Sequence, residues 1–179
     1  MPLIINRQIQ NEDAWQFIDA EDFQPEQVTA ANNQTFVIPA EKLADVSPET
    51  LEQLGKANQL GASLTTEQDH ELLLPYLDKL ALIAIEFLVF RDGRGFSQAR
   101  LLRRAGFKGE LRAVGDIARD RLAHLESCGF DAFDIPAERF KTEDLAAFSE
   151  VGVSYQQPNF QQHRLRQQKE KLEAEDGIA

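Results

Sequence analysis

Residues 80–116, LALIAIEFLVFRDGRGFSQARLLRRAGFKGELRAVGD, contain an apolar run, a glycine-rich turn, a helical pattern and a second strand pattern in succession. The continuous apolar run 80–87 is typical of a strand that is covered on both faces. Ser97 fits the N-cap of a helix that continues to Ala105, and Gly106 stands where helices commonly end. Because a strand–helix–strand unit of this length is a crossover connection, the segment predicts two parallel strands.

The same alternation extends in both directions along the chain. Strands are predicted at 35–39, 60–64, 80–87, 110–115 and 130–135. Helices are predicted from Pro48 with Ser47 as N-cap, over 67–80, from Ser97, from Asp116 to Cys128, and over 142–151. These five strand–helix units predict an α/β fold with a mainly parallel sheet, either open or an incomplete barrel. The first 30 residues are less regular, with a possible strand at 3–6 and a short helix or edge strand around Trp15.

Length and composition predict one domain with a tail. The 179 residues are 42% hydrophobic, which is enough for a single core over residues 1–160. Residues 161–179 are polar and charged, so we expect a solvated helix or a disordered tail. The net charge of -11 disfavours nucleic acid and membrane surfaces as partners. The N-terminal residues lack the pattern of a targeting signal, and no apolar run approaches the roughly 20 residues of a membrane span, so we expect a cytoplasmic protein.

The acidic chain becomes basic between residues 91 and 121, where nine basic residues stand against four acidic ones. Gly93 and Gly95 allow a tight turn before the amide groups that open the Ser97 helix, and a helix N-terminus attracts anions. Arg91 and Arg94 flank this turn and are suited to fork onto a sulfate, phosphate or carboxylate. The alternative is that the glycines are turn residues and the arginines cover a surface.

Two carboxylates are candidates for acid–base chemistry at the ends of predicted strands. Glu86 lies within an apolar run, where burial raises a carboxyl pKa, although pairing with an arginine is equally compatible with the pattern. Asp116 follows Gly115, where its ordinary interpretation is the N-cap of the next helix. If the strands are neighbours, Arg112 would lie beside this edge and hold an anion together with Arg94.

Helical spacing separates three arginines from a fourth. Arg100, Arg103 and Arg104 fall on one side of the Ser97 helix, which predicts a basic face for a partner. Arg121 falls inside the apolar arc of the following helix, so it is expected to bind a carboxylate such as Asp134 or a ligand. The histidines show no metal-ligand spacing, and no metal site is predicted. Cys128, the only cysteine, is expected to be a small apolar residue at a helix end.

Three motifs at family spacing, DGRGFSQARLLR, GELRAVGD and CGFDAF, make residues 82–135 similar to the bacterial domain of unknown function 934 family. The similarity extends more loosely to Trp15 and to the apolar strand TFVIP. The chain departs from the family pattern at Arg121, where glutamine is common, and at Leu88, where a proline follows the aromatic residue.

The resemblance implies a role in assimilatory sulfate or sulfite reduction. Sulfite reduction itself needs siroheme and an iron–sulfur cluster, which one cysteine cannot hold, so this chain is not expected to be the reductase or to carry either group. The resemblance instead favours an accessory or anion-binding protein acting with sulfite reductase. The alternative is an enzyme that acts on an anionic metabolite with Glu86 or Asp116 as its acid–base group. The label of oxidoreductase that goes with the family implies no particular cofactor.

Overall fold

The computed structural model describes residues 2–29 and 34–150. The tail predicted at 161–179 lies outside the described residues, as does the end of the predicted domain. No described helix is both long enough and apolar enough to cross a membrane.

The described residues form one sheet of eight strands in the order β2-β1-β8-β7-β6-β5-β4-β3. The strands are β1 Leu3–Ile5, β2 Gln8–Gln10, β3 Trp15–Phe17, β4 Thr35–Pro39, β5 Leu60–Thr65, β6 Leu82–Phe87, β7 Glu110–Gly115 and β8 Ala132–Asp134. Strands β3 to β8 are parallel and adjacent in chain order. The α/β class is therefore confirmed, but the prediction of five mainly parallel strands was wrong, because β1 and β2 add an antiparallel hairpin beside β8 and make the sheet mixed.

Four α-helices accompany the strands: α1 Pro48–Lys56, α2 Arg94–Arg104, α3 Leu122–Cys128 and α4 Ala147–Glu150. The start of α1 is as predicted, since the Ser47 hydroxyl accepts the Thr50 N–H at 3.1 Å and Pro48 occupies the first turn. Helix α3 ends at Cys128, as expected, and Gly129 follows it with φ +113°. Burial raises the pKa of the Cys128 thiol, so this side chain is an uncharged packing group.

The helix predicted over 67–80 is absent from the described fold. Only a 3-10 helix, His70–Tyr76, forms there, with Asp69 accepting the Glu71 N–H at 3.0 Å. Pro75 lies inside this segment and has no N–H to donate, so a continuous α-helix would lose a hydrogen bond and clash with the preceding turn.

The main core lies between the sheet and the helices. Alternate strand residues such as Ile83, Ile85 and Phe87 face this core together with Ala99 and Leu102 of α2. Because consecutive parallel strands are neighbours and crossovers share one hand, successive helices cover the same face of the sheet.

The opposite face, which we call the inner face, has its own small apolar cluster of Val37, Leu82 and Ala84 with Trp15 against it. The sheet is open and curled into a half-barrel around this face. The curl is visible in the contacts of Arg112 on β7, whose Nη1 lies 2.5 Å from Asp13 and whose guanidinium lies 5.7 Å from the Phe17 ring centre. Strands β4, β5 and β6 separate β7 from β3, so these side chains meet only because the sheet bends.

Candidate functional site

The carboxyl ends of β6 and β7 lie side by side and lead into the two loops that contain most of the predicted site residues. Hydrogen bonds of the Asp116 backbone and side chain connect the two loops. Its N–H donates to the Phe87 carbonyl at 2.7 Å, and its carboxylate accepts the Phe90 N–H at 2.9 Å. Loops at the carboxyl ends of neighbouring parallel strands are the usual place for ligands in α/β folds, so this edge is the candidate functional site.

The predicted anion position at the glycine turn is filled by the protein's own carboxylate. Helix α2 begins at Arg94, three residues before the predicted N-cap Ser97, and Asp92 accepts the Arg94 N–H at 3.0 Å. The Arg94 guanidinium forks onto the same carboxylate, with Nε at 3.0 Å and Nη2 at 2.7 Å. These bonds from Arg94 hold the pKa of Asp92 well below its ordinary value. Both the helix N-terminus and Arg94 are therefore already engaged, while Arg91 and Ser97 are exposed.

The two glycines of this turn have different surroundings. A Cβ at Gly95 would lie 2.5 Å from Cζ of Phe87, so this glycine allows the first turn of α2 to pack against the strand. A Cβ at Gly93 would meet nothing within 4 Å. Gly95 is thus required by packing, and Gly93 is not.

Replacing Asp92 with Asn is expected to destabilise the protein by roughly 0.5–1 kcal/mol at pH 7, because the amide keeps an acceptor but loses the charge facing Arg94 and the helix N-terminus. The folded-state pKa of Asp92 is lowered, so its stabilising contribution exists above the unfolded pKa of about 3.9 and is lost as pH falls. Urea unfolding at several pH values should show the gap between wild type and Asp92→Asn closing below about pH 4. Asp120→Asn, which changes an exposed carboxylate, is the control; an equal effect of both substitutions at all pH values would contradict the assignment.

Glu86, Arg94 and Asp116 do not form a shared constellation. Glu86 is partly exposed on the inner face, and its carboxylate makes no hydrogen bond or ion pair with any described residue. Asp116 binds Arg139 as well as the Phe90 N–H, and Arg139 lowers the pKa of this carboxyl. Asp116 is therefore an ionised acceptor that joins loops.

The prediction that Asp116 caps the following helix was wrong. The chain passes from Asp116 through Ile117 and Ala118 into a 3-10 helix, Arg119–Arg121, and α3 begins only at Leu122. The carboxylate accepts an N–H from the neighbouring loop in place of one from its own helix.

Arg112 is buried within the sheet, away from the glycine turn. Its side chain is 0% exposed on the inner face, between Asp13 and Glu110, with Nη2 at 2.8 Å from Glu110. Arg112 and Arg94 therefore do not hold an anion together as predicted, because the Arg112 side chain extends from β7 towards Asp13 and Glu110. Alternation along a strand fixes this direction, because residues 110, 112 and 114 share one face.

Only two of the three arginines predicted to form the basic face of α2 are exposed, because Arg103 is bound within the fold. This arginine donates to the carbonyls of Phe107, Gly109 and Gly129 and binds Asp131 at 2.8 Å, so it joins α2 to the surrounding loops. Arg100 and Arg104 remain exposed.

A cluster of arginine, phenylalanine and histidine side chains, which was not predicted from the sequence, lies between the two loops. The Arg121 guanidinium stacks at 3.8 Å from the Phe90 ring centre and lies 5.6 Å from that of Phe96. The Phe96 ring in turn lies 4.7 Å from the His124 ring. Burial, and then the charges of Arg100 and Arg121, lower the pKa of His124. We call Phe90, Phe96, Arg100, Arg121 and His124 the arginine–aromatic cluster.

Arg121 does not bind Asp134, the carboxylate that its helical position suggested as a partner. Nη1 of Arg121 is buried without a hydrogen-bond partner in the described part of the chain, and Oδ1 of Asp134 is likewise buried and unpartnered. Asp134 is the last residue of β8, where burial raises the pKa of its carboxyl. In the sequence, the cluster is indicated only by the position of Arg121 within an apolar helical arc. The aromatic residues that Arg121 contacts could not be predicted, because they depend on the order of the strands.

No group of three or more His, Cys, Asp or Glu side chains within residues 2–29 and 34–150 is arranged to hold a metal ion. The described side chains of the edge are guanidinium groups, the carboxylates of Asp92 and Asp116 that bind Arg94 and Arg139, one imidazole and aromatic rings.

These features define an α/β protein with an open half-barrel sheet and charged loops at the carboxyl edge of its parallel strands. The family model described as "Bacterial protein of unknown function (DUF934)" matches residues 61–165, which include both loops of the candidate site. The chain belongs to this family, as the resemblance indicated. No curated protein matches it.

Proposed function

We propose that this protein is a noncatalytic accessory protein that docks on sulfite reductase through the exposed arginines of α2. The proposal rests on a difference between the arginines in whether they form ion pairs with carboxylates. Arg100 and Arg104 are exposed and have no ion pair among the described residues. Carboxylates bind six other described arginines, namely Arg7, Arg94, Arg103, Arg112, Arg119 and Arg139. Arg91 and Arg121 also have no ion pair among the described residues, but they lie outside α2.

Unpaired surface cations on a chain of net charge -11 are suited to recognition. A local positive surface attracts an acidic partner, and the negative remainder disfavours other orientations of approach. The choice of sulfite reductase as partner comes from the family resemblance, and the choice of surface comes from the arrangement of α2. Such an interface should weaken as ionic strength rises.

Reversing both charges, Arg100→Glu with Arg104→Glu, is expected to abolish copurification with sulfite reductase while the fold survives, because both side chains are exposed. The measurement is capture of tagged protein from cells that express the reductase, followed by quantification of reductase subunits at low and moderate salt. Lys56→Glu with Lys141→Glu is the matched control, since it makes the same change in net charge elsewhere. Unchanged copurification of the arginine variant, or equal loss in both variants, would overturn the docking proposal.

A further inference from the structure

We infer that the arginine–aromatic cluster is a binding site for a small oxyanion with several acceptor oxygens, the chemistry shared by sulfite, sulfate and phosphate. The site differs from the glycine turn, whose anion position Asp92 occupies. It shares Arg100 with the proposed docking surface, but its central residue, Arg121, lies outside the exposed surface of α2.

The first argument is the state of the Arg121 guanidinium. Its stacking on Phe90 at 3.8 Å covers one face of the planar group, so its in-plane N–H groups are the ones left for a ligand. Nη1 is buried and has no hydrogen-bond partner among the described residues. A charged donor that has lost water without gaining an acceptor is favourably satisfied by an anion, and a guanidinium can hold two oxygens of one anion.

The second argument is the convergence of donors. Arg121 and His124 both contact the Phe96 ring, at 5.6 Å and 4.7 Å from its centre. After burial, the charges of Arg100 and Arg121 lower the pKa of His124. The imidazole also contacts the Ser127 hydroxyl and the Cys128 thiol, and it forms no ion pair with a carboxylate of the described residues. An anion bound between the two arginines would therefore supply the missing negative charge.

The third argument concerns Asp116, whose pKa is lowered first by Arg139 and only as the last of several causes by the charge of Arg121. Asp116 forms no ion pair with Arg121, because its oxygens are occupied by Arg139 and the Phe90 N–H. Its bond to Phe90 holds the segment whose ring lies under Arg121. Asp116 therefore acts as a positioning residue, and its negative charge is already neutralised by Arg139.

The test uses the purified full chain and follows His124 by NMR, with the signal assigned through a His124→Gln variant. Sulfite, sulfate and phosphate are titrated separately, with sodium chloride at matched ionic strength as a reference. Saturable shifts are expected for one or more of the three oxyanions, and bound anion should raise the pKa of His124, since it offsets the charges of Arg100 and Arg121. The ranking of the three affinities identifies which anion the site prefers.

The variant Arg121→Gln should weaken binding by about tenfold or more, because an amide loses the charge and the fork. Its fold is checked by thermal unfolding, and Phe90→Leu, which removes the stacked ring but keeps an apolar side chain, should also weaken binding. Arg91→Gln is the matched control, an exposed arginine in the loop before α2, and should bind as wild type. Absence of saturable shifts, equal shifts with chloride, or undiminished binding by a folded Arg121→Gln variant would overturn the site. Arg121→Gln is expected to retain copurification with sulfite reductase, so the docking and anion-binding proposals can fail separately.

Discussion

Gly115→Ala is expected to lower the free energy of unfolding by roughly 3 kcal/mol, through backbone strain and a steric clash together. Gly115 has φ +88°, a conformation that side-chain-bearing residues rarely adopt. An added Cβ would also lie 2.6 Å from the Phe87 carbonyl oxygen. That oxygen accepts the Asp116 N–H at 2.7 Å, so it cannot move away without loosening the joint between the two loops. Urea unfolding at neutral pH measures the loss.

Gly93→Ala provides the matched control for this loss. Gly93 precedes α2 with φ -91°, and a Cβ there would meet nothing within 4 Å. Its substitution is expected to change stability by no more than about 0.5–1 kcal/mol, with a gain possible from the restricted unfolded chain. Similar losses for the two variants would show that the clash at Gly115 is not the cause.

Arg112→Met is expected to cost about 2–3 kcal/mol, because it removes a fully buried guanidinium and its hydrogen bonds and leaves Glu110, which is partly buried, and Asp13 without their cation. Asp13 and Glu110 both bind the wild-type guanidinium, which is itself 0% exposed. Arg104→Met, on an exposed part of α2, is the control and should stay within about 0.5 kcal/mol of wild type. Chemical denaturation of both variants checks the difference, and a loss of less than about 1 kcal/mol at Arg112 would contradict it.

The cost of Arg112→Met should depend on pH in a defined direction. Burial already raises the pKa of Glu110 and the charge of Arg112 opposes that rise, so removing Arg112 should raise it further. A carboxyl whose folded pKa exceeds its unfolded value destabilises the fold once pH rises through the folded pKa. The gap between Arg112→Met and wild type should therefore be largest near pH 7 and should narrow towards about pH 4. A gap that widens on acidification would refute this electrostatic explanation.

The strands that the sequence predicted well are those buried on both faces. TFVIP contains few polar residues and is bounded by turn residues, and its predicted extent matches β4. The apolar run predicted as a strand at 80–87 contains β6, which begins two residues later at Leu82. Strand β2 is Gln8-Ile9-Gln10, and its polar residues give no hydrophobic pattern to detect. The antiparallel hairpin is specified by its pairing with β8 at the far end of the chain, a contact that no local window contains.

Helix starts were misplaced where a cap came from an unexpected side chain. Ser97 has the right chemistry for an N-cap, but Asp92 accepts the first N–H earlier and also binds Arg94. Asp116 has equally good capping chemistry and uses it on Phe90 across the loop. Residue type alone indicates that a side chain will accept an N–H, whereas the tertiary arrangement decides which N–H it accepts.

The sequence predicted the location of the candidate site better than it predicted which residues form the site. The carboxyl ends of β6 and β7 were expected to be neighbours, and they are. The alternation of Glu110, Arg112 and Val114 placed these residues on one face, but it did not say that the sheet would curl and bury Arg112 against Asp13. The stacking of Arg121 on Phe90 likewise joins loops from two different strands and has no signature in either loop alone.

The order of strands in the sheet also bears on how the protein is made. From β3 to β8 each new strand pairs with the one synthesised just before it, so the sheet can lengthen at one edge as the chain leaves the ribosome. Strand β1 is made first, yet its partner β8 is among the last segments described, and Leu3 pairs with Asp134. The N-terminal hairpin therefore cannot pair with the sheet until β8 has been synthesised, and its docking is expected to be a late step in folding.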